Sequence, residues 1–206
     1  ARRLYGDRLA IVTNGGGAGV LAADALALGA DQLATLSAAT LAALDQRLPA
    51  TWSHGNPVDL IGDAPIERYT DALQLLLQAP EVDAVLFMHA PTAVVPSAEI
   101  AEAILPLLRA PGKPVLACWM GGDVVQAARD ASAAAGVPTY VTPERAVAAF
   151  VHMAQYRRNR ETLLQTPHAA PPFPSDPAAA RALVAKVLAE GREMLDEFEA
   201  KALLAA

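Results

Sequence analysis

Aromatic residues are scarce in this chain of 206 residues: two Trp, four Tyr and four Phe make up 5%, against 53% hydrophobic residues overall. The core is therefore aliphatic, built mainly from Ala and Leu, which are also good helix formers. Cysteine is nearly absent. Cys118 stands alone inside the apolar run "KPVLACWM", which excludes a disulfide within the chain. It reads as a small core residue, not a nucleophile, and fits a reducing cytoplasm. An excess of positive charge is missing too. The 16 Lys and Arg stand against 22 Asp and Glu, for a net charge of −6, whereas a nucleic-acid surface needs a basic face. No apolar run has the length of a membrane span, and the polar residues 1–8 lack the pattern of a secretory leader. Neither nucleic acid nor membrane is an expected partner.

What is present is an alternation. Short apolar, β-branched runs at 8–14, 32–36, 82–89, 113–120 and 137–141 read as strands. Helical spacing follows each one: from Val20 to Leu28 before Gly29, from Ser37 to Leu48 before Pro49, after Ser97, after "GGD" at 121–123, and from Pro143 to Leu164. A further helix is expected over 66–78, and "ATWSHGNPVDLIGDA" at 50–64 reads as loop. Strands apolar on both faces, alternating with helices, predict a parallel sheet covered on both sides. The expected fold is α/β, a flavodoxin-like, doubly wound sheet of five parallel strands with a helical extension at its C-terminal end. In such a sheet ligands gather at the carboxyl ends of the strands, near the switch in strand order, so the loops 14–19, 89–96 and 120–123 should share one crevice. The expected organisation is a domain over 1–164, a proline-rich linker over 165–176 and a helical segment over 177–206. Both ends read as abrupt, as in a piece of a larger polypeptide.

The chemistry begins at "IVTNGGGAGVLAADAL", residues 11–26. This is not a phosphate-binding P-loop, because Gly-Lys-Ser/Thr is absent. Nor does it match G-x-G-x-x-G, and the second strand ends in Leu36-Ser37 where a dinucleotide site wants an acid. Small residues at a helix start let backbone N–H groups approach a ligand, and those groups with the helix dipole favour an anion. Alternatively, the glycines serve only a tight strand-to-helix turn.

Three segments together resemble a family: "IVTNGGGAGVLAADAL", "GNPVDLIGDAPIERYTDAL" and "VDAVLFMHAPTA…KPVLACWMGG". They are similar to the NDP-forming acyl-CoA synthetases, or ADP-forming acetate–CoA ligases, and to the C-terminal domain of the succinyl-CoA synthetase β subunit. The stretches "YRRNRETLLQTP" and "ARALVAKVLAEGREMLDEFEAKALLAA" resemble the passage toward an ATP-grasp domain in fused members. The resemblance implies formation of an acyl-CoA from a carboxylate, CoA and ATP, with release of ADP and phosphate, through an acyl phosphate and a phosphohistidine. It implies that ATP with Mg, and CoA, are used by the full-length protein and not bound by this segment. Partner domains for CoA, for the phosphohistidine in a "SHTGA"-like segment and for ATP are implied, in an oligomer. This segment then supplies the acyl/phosphate-binding wall through Asn14, Gly15, Gly16, Gly17, Ala18 and Gly19, through Asn56 and Pro57, and through Ala90, Pro91, Thr92 and Ala93. It contributes no catalytic or metal-binding residue. The loop "HAPTA" departs from the glycine-rich pattern of succinyl-CoA synthetase, and Pro91 has no N–H to donate. Some members are fused to a GNAT-type acetyltransferase, and "TWSHGNPVDLIGDAPIERY" resembles those forms, so a regulatory module is the alternative. An interaction domain without a ligand is the third.

The remaining candidates have simpler readings. His54 is expected to stabilise its loop, and His89 to touch ligand or to lie buried and satisfied. His152 and His168 read as incidental, and no pair has metal-ligand spacing. Asp59 and Asp63 suit an acid pair or turn capping. Trp52 and Trp119 suit core positions, and Arg157, Arg158 and Arg160 a solvated helix end or a domain contact.

Overall fold

The computed structural model describes residues 3–29, 32–110, 112–165 and 176–205. The chain divides into two compact units, 1–163 and 164–206. In the first unit the elements follow as β1 (Arg8–Thr13), α1 (Gly16–Leu28), β2 (Gln32–Leu33), α2 (Ala38–Asp45), β3 (Val58–Asp59), α3 (Ile66–Gln78), β4 (Ala84–His89), α4 (Ser97–Arg109), β5 (Val115–Trp119), α5 (Gln126–Ala134), β6 (Thr139–Tyr140) and α6 (Pro143–Leu164). A 3-10 turn, Gly122–Val125, leads into α5.

The sheet has the order β2-β1-β4-β5-β6 with all pairs parallel. β3 also pairs with β1, further along the same edge as β2: Arg8 and Leu9 lie opposite Gln32 and Leu33, and Val12 and Thr13 opposite Val58 and Asp59. The five-stranded expectation thus gains a sixth strand, inside the segment that reads as loop. At two residues it is too short for any periodicity to register. Strand-like sequence also overruns the ladders at β2 and β6, and α2 stops at Asp45, short of Leu48.

Alternation along the central strands sorts the core into two layers. Ala10, Val12, Val85, Phe87, Ala117 and Trp119 face α2, α3, α4 and α5, where Leu44, Tyr69, Leu73, Ile104 and Ala128 meet them. Leu9, Ile11, Leu86, Met88, Leu116 and Cys118 face α1 and α6 through Ala22, Leu26, Val147 and Phe150. Burial pushes the Cys118 thiol up to about 12, so it stays protonated and inert. Both tryptophans are core residues whose N–H groups are satisfied, Trp52 on Asp45 at 2.7 Å and Trp119 on Ser132 at 3.1 Å. The reversal of strand order falls between β1 and β4, so the loops after them share the switch point.

In the second unit, Asp176 caps α7 (Pro177–Ala189) through the N–H groups of Ala178 and Ala179. Gly191, at φ 72°, ends that helix. α8 (Glu197–Ala205) opens with a reciprocal pair in which Glu199 N–H donates to Asp196 and Asp196 N–H to Glu199. Arg192 grips Glu199 with two bonds of 2.9 and 2.6 Å. The central part of the proline-rich stretch, 166–175 with His168, lies outside the described residues.

Candidate functional site

The turn at the end of β1 is built on Thr13. Its Oγ1 accepts the Gly15 N–H at 3.1 Å, and the Gly15 carbonyl then accepts from Ala18 and Gly19 at 3.0 and 3.2 Å. A helix start leaves its leading N–H groups without intrahelical acceptors. With Ala18 and Gly19 turned back on Gly15, Gly16 and Gly17 are the two donors that remain. Neither these glycines nor their neighbours in 15–19 have positive φ, so conformational freedom is not what selects glycine here.

The space around them differs from one to the next. A Cβ at Gly19 would lie 3.2 Å from Pro57 Cβ and 3.3 Å from Thr13 Cγ2. One at Gly16 would lie 2.7 Å from Asp59 Oδ2, and one at Gly15 would touch Ala90 Cβ at 3.6 Å. Gly17 alone of the four opens onto space, with nothing within 4 Å of a Cβ. Close packing therefore accounts for Gly19, the neighbour at Gly16 is the tip of the Asp59 side chain, and Gly17 is the position whose openness packing does not demand.

The two asparagines among the expected ligand contacts do other work. Asn14, 3% exposed, donates Nδ2 to the Ala90 carbonyl at 2.8 Å and accepts the Ala90 N–H on Oδ1 at 2.9 Å. This pair ties the loop after β1 to the loop after β4 and spends the side chain. Asn56 sits beside the middle of β1, between β2 and β3. Its Oδ1 accepts the Ile11 N–H, and its Nδ2 donates to Leu9 O and Ala34 O, each at 2.9 Å. The side chain supplies the bonds that a continuous neighbouring strand would have made. Pro57, cis to Asn56, packs on Gly19.

In the second loop, Pro91 packs against Gly121, whose φ of 122° and crowded Cβ position both demand glycine. Thr92 Oγ1 accepts the Val94 N–H at 3.4 Å, and Ala93 completes the turn. Ser97 is the first residue of α4, not its cap. Its Oγ lies 3.0 Å from His89 Nε2. His89 is fully buried, 3.4 Å from the Tyr69 hydroxyl and edge-on to Trp119. Desolvation pulls its pKa down to about 4, so the ring is neutral at pH 7. Of the two readings of His89, the structure selects the buried, satisfied one. The third loop is pinned by Arg129, which donates to Trp119 O at 2.7 Å and to Gly122 O at 3.1 Å.

The three loops meet through contacts now in view: Asn14 with Ala90, Gly15 with Ala90, and Gly121 with Pro91. Of its two readings Asp59 takes turn capping, with Oδ1 accepting the Ile61 N–H at 2.9 Å; the sequence did not show that its Oδ2 lies against Gly16. The carboxylate stands at the positive end of α1. Asp63 pairs with Arg68 at 2.7 Å, so Asp59 and Asp63 form no acid pair. Arg157 and Arg158 both grip Asp7, at 2.7 and 3.0 Å, and Arg157 also pairs with Glu161 at 2.6 Å, which makes them part of an ion-pair cluster within the first unit. Among the described residues, no group of three His, Cys, Asp or Glu is placed to hold a metal. A cleft of about 420 Å³ bounded by Leu108, Val115, Val137 and Met153 opens at the amino ends of β5 and β6, away from these loops.

The parallel sheet with a glycine turn at its switch point defines an α/β domain of the kind that receives ligands at the carboxyl ends of its strands. The chain belongs to the Ligase-CoA domain family, which it matches over residues 9–165. It is 37% identical over 150 residues to ADP-forming acetate–CoA ligase I of Archaeoglobus fulgidus, covering 73% of this chain and 21% of that protein. It is 39% identical over 162 residues to the α subunit of ADP-forming acetate–CoA ligase II of Pyrococcus furiosus, covering 75% and 35%. In structure it is similar to the dinucleotide-forming acetyl-coenzyme A synthetase 1 of Ca. Korarchaeum cryptofilum, with TM-score 0.74 and 30% identity. That match covers 80% of this chain and 37% of the synthetase, both in the apo form and, with 36% covered, in complex with phosphate and ADP. The chain thus spans between about a fifth and just over a third of the length of these relatives.

Proposed function

We propose that this chain supplies the acyl/phosphate-binding wall of an ADP-forming acid–CoA ligase, which converts a carboxylic acid, CoA and ATP into acyl-CoA, ADP and phosphate. The observation that carries this reading is the Asn14–Ala90 pair, which holds the start of α1 beside the loop that opens α4. Two helix starts then direct their unpaired N–H groups and dipoles toward one crevice, where a carboxylate or a transferring phosphoryl group is stabilised. The roles differ from residue to residue. Gly16 and Gly17 donate, Ala18 keeps the approach open, and Gly15 and Gly19 allow the packing. Asn14, Asn56 and Pro57 hold the walls, and Ala90, Pro91, Thr92 and Ala93 form the facing loop. ATP with Mg, CoA and the phosphohistidine belong to partner domains of the whole, oligomeric, cytoplasmic protein.

Titration of the ¹⁵N-labelled chain with acetate, acetyl phosphate and inorganic phosphate tests this. Saturable shifts of the Gly16 and Gly17 amides are expected, with no acyl-CoA formed from acid, ATP and CoA by the purified chain alone. Unmoved amides, or turnover by the chain, overturn it. A second reading, a regulatory ligase-like module of an acetyltransferase fusion, draws on one observation that thins the set of donors: Pro91 offers no N–H. It is favoured if acetate moves these amides and acetyl phosphate does not.

A further inference from the structure

The segment between α2 and β3 turns on His54, whose two ring nitrogens both face acceptors. Nδ1 lies 2.9 Å from Asp45 Oδ1, and Nε2 lies 3.0 Å from the Ala50 carbonyl oxygen. Neither partner has a hydrogen to give, since a carbonyl and an ionised carboxylate only accept. Both contacts are hydrogen bonds only when both nitrogens carry hydrogen. A neutral imidazole carries one and must leave a lone pair against an oxygen.

The surroundings bind that requirement to the fold. His54 has φ 49°, a left-handed backbone uncommon for a residue with a side chain, which its two contacts help to hold. The buried Trp52 ring packs on the imidazole at 4.9 Å between centroids and donates its N–H to the same Asp45 Oδ1. Asp45, from α2, is the charged group that faces the ring, and the Ala50 carbonyl and Asp45 together raise the pKa of His54 above its usual value. Two residues further on, Asn56 completes β1 by accepting the Ile11 N–H, and Pro57 seats against Gly19.

We propose that His54 is a pH-sensitive clamp: as an imidazolium it seats the 49–57 segment against β1, and its deprotonation loosens that segment and the wall it forms beside the glycine turn. The device is independent of what the crevice binds. Histidine is the side chain whose charge changes in the neutral range, so the clamp works where cellular pH varies.

The test is NMR on the full chain. The His54 ring should titrate above the ordinary 6.5, and Asp45→Asn, which keeps an acceptor for Trp52, should bring it back toward that value. The Ile11 amide reports the seating, because its acceptor is Asn56. Corrected for intrinsic rates, its hydrogen exchange should be about fivefold faster at pH 8.5 than at pH 6. His54→Asn, which tolerates the left-handed backbone, should abolish that step. A ring titrating at or below 6.5, a midpoint unmoved by Asp45→Asn, or exchange at Ile11 with no pH step or with one that survives in His54→Asn overturns the proposal.

Discussion

Gly17 and Gly19 lie two positions apart and look alike in sequence, yet they are held by different constraints. A side chain at Gly17 enters open space, whereas one at Gly19 meets Pro57 and Thr13 at 3.2 and 3.3 Å. Gly17→Val should therefore leave stability within about 0.5 kcal/mol and abolish any anion response at the turn. Gly19→Ala should cost about 1–3 kcal/mol through overpacking. Denaturant titration of both variants, beside acetate titration of the first, separates the two. If Gly17→Val still responds to acetate as the parent does, the turn does not receive the anion. The sequence shows four glycines in five positions. It does not show which of them face neighbours, because Pro57 and Asp59 come from a segment about forty residues away.

At the scale of elements, the decisive links are side chains standing in for backbone. Asn14 joins the loops after β1 and β4, and Asn56 fills the gap between β2 and β3. Asn14→Ala leaves the Ala90 N–H and carbonyl without their partner and should cost about 2–4 kcal/mol, measured by urea unfolding. A cost near zero means that solvent already satisfies Ala90. The order of strands and helices was legible in the alternation of apolar runs, because β4 and β5 are buried on both faces and their runs are long. β3 was not, and neither was the ring of His89 beneath the start of α4, since a fold contact among β4, α3 and α4 sets its partners. The resemblance assigns both asparagines to the ligand wall. Their hydrogen bonds are a matter of geometry that no spacing encodes.

For the molecule as a whole, the titrating groups pull stability in opposite directions. His89 has a folded pKa near 4, below its ordinary 6.5, so the unfolded chain binds the proton more tightly. Its contribution is whole above about pH 6.5 and falls as pH drops toward 4, by up to about 3 kcal/mol. Glu81, which accepts from the Ser37 N–H and the Thr40 hydroxyl, is held near 2, so its contribution is lost below about pH 4.5. His54, raised, contributes in the other sense, with stability lost as pH rises through its folded value. Urea unfolding at pH 7 and pH 4.5 should show the parent weakening, and His89→Gln should flatten that difference; an unchanged difference means that other groups carry it. One architectural detail reaches beyond stability. Both borders of the sheet end in strands of two residues, β2 and β3 on one side and β6 on the other, and Asn56 plugs the opening between the first two. Long unpaired borders are the templates on which a second chain adds and fibrils grow. Among the described residues this sheet offers no such run, and its most apolar strands, β4 and β5, lie inside it, away from borders on which another chain could add.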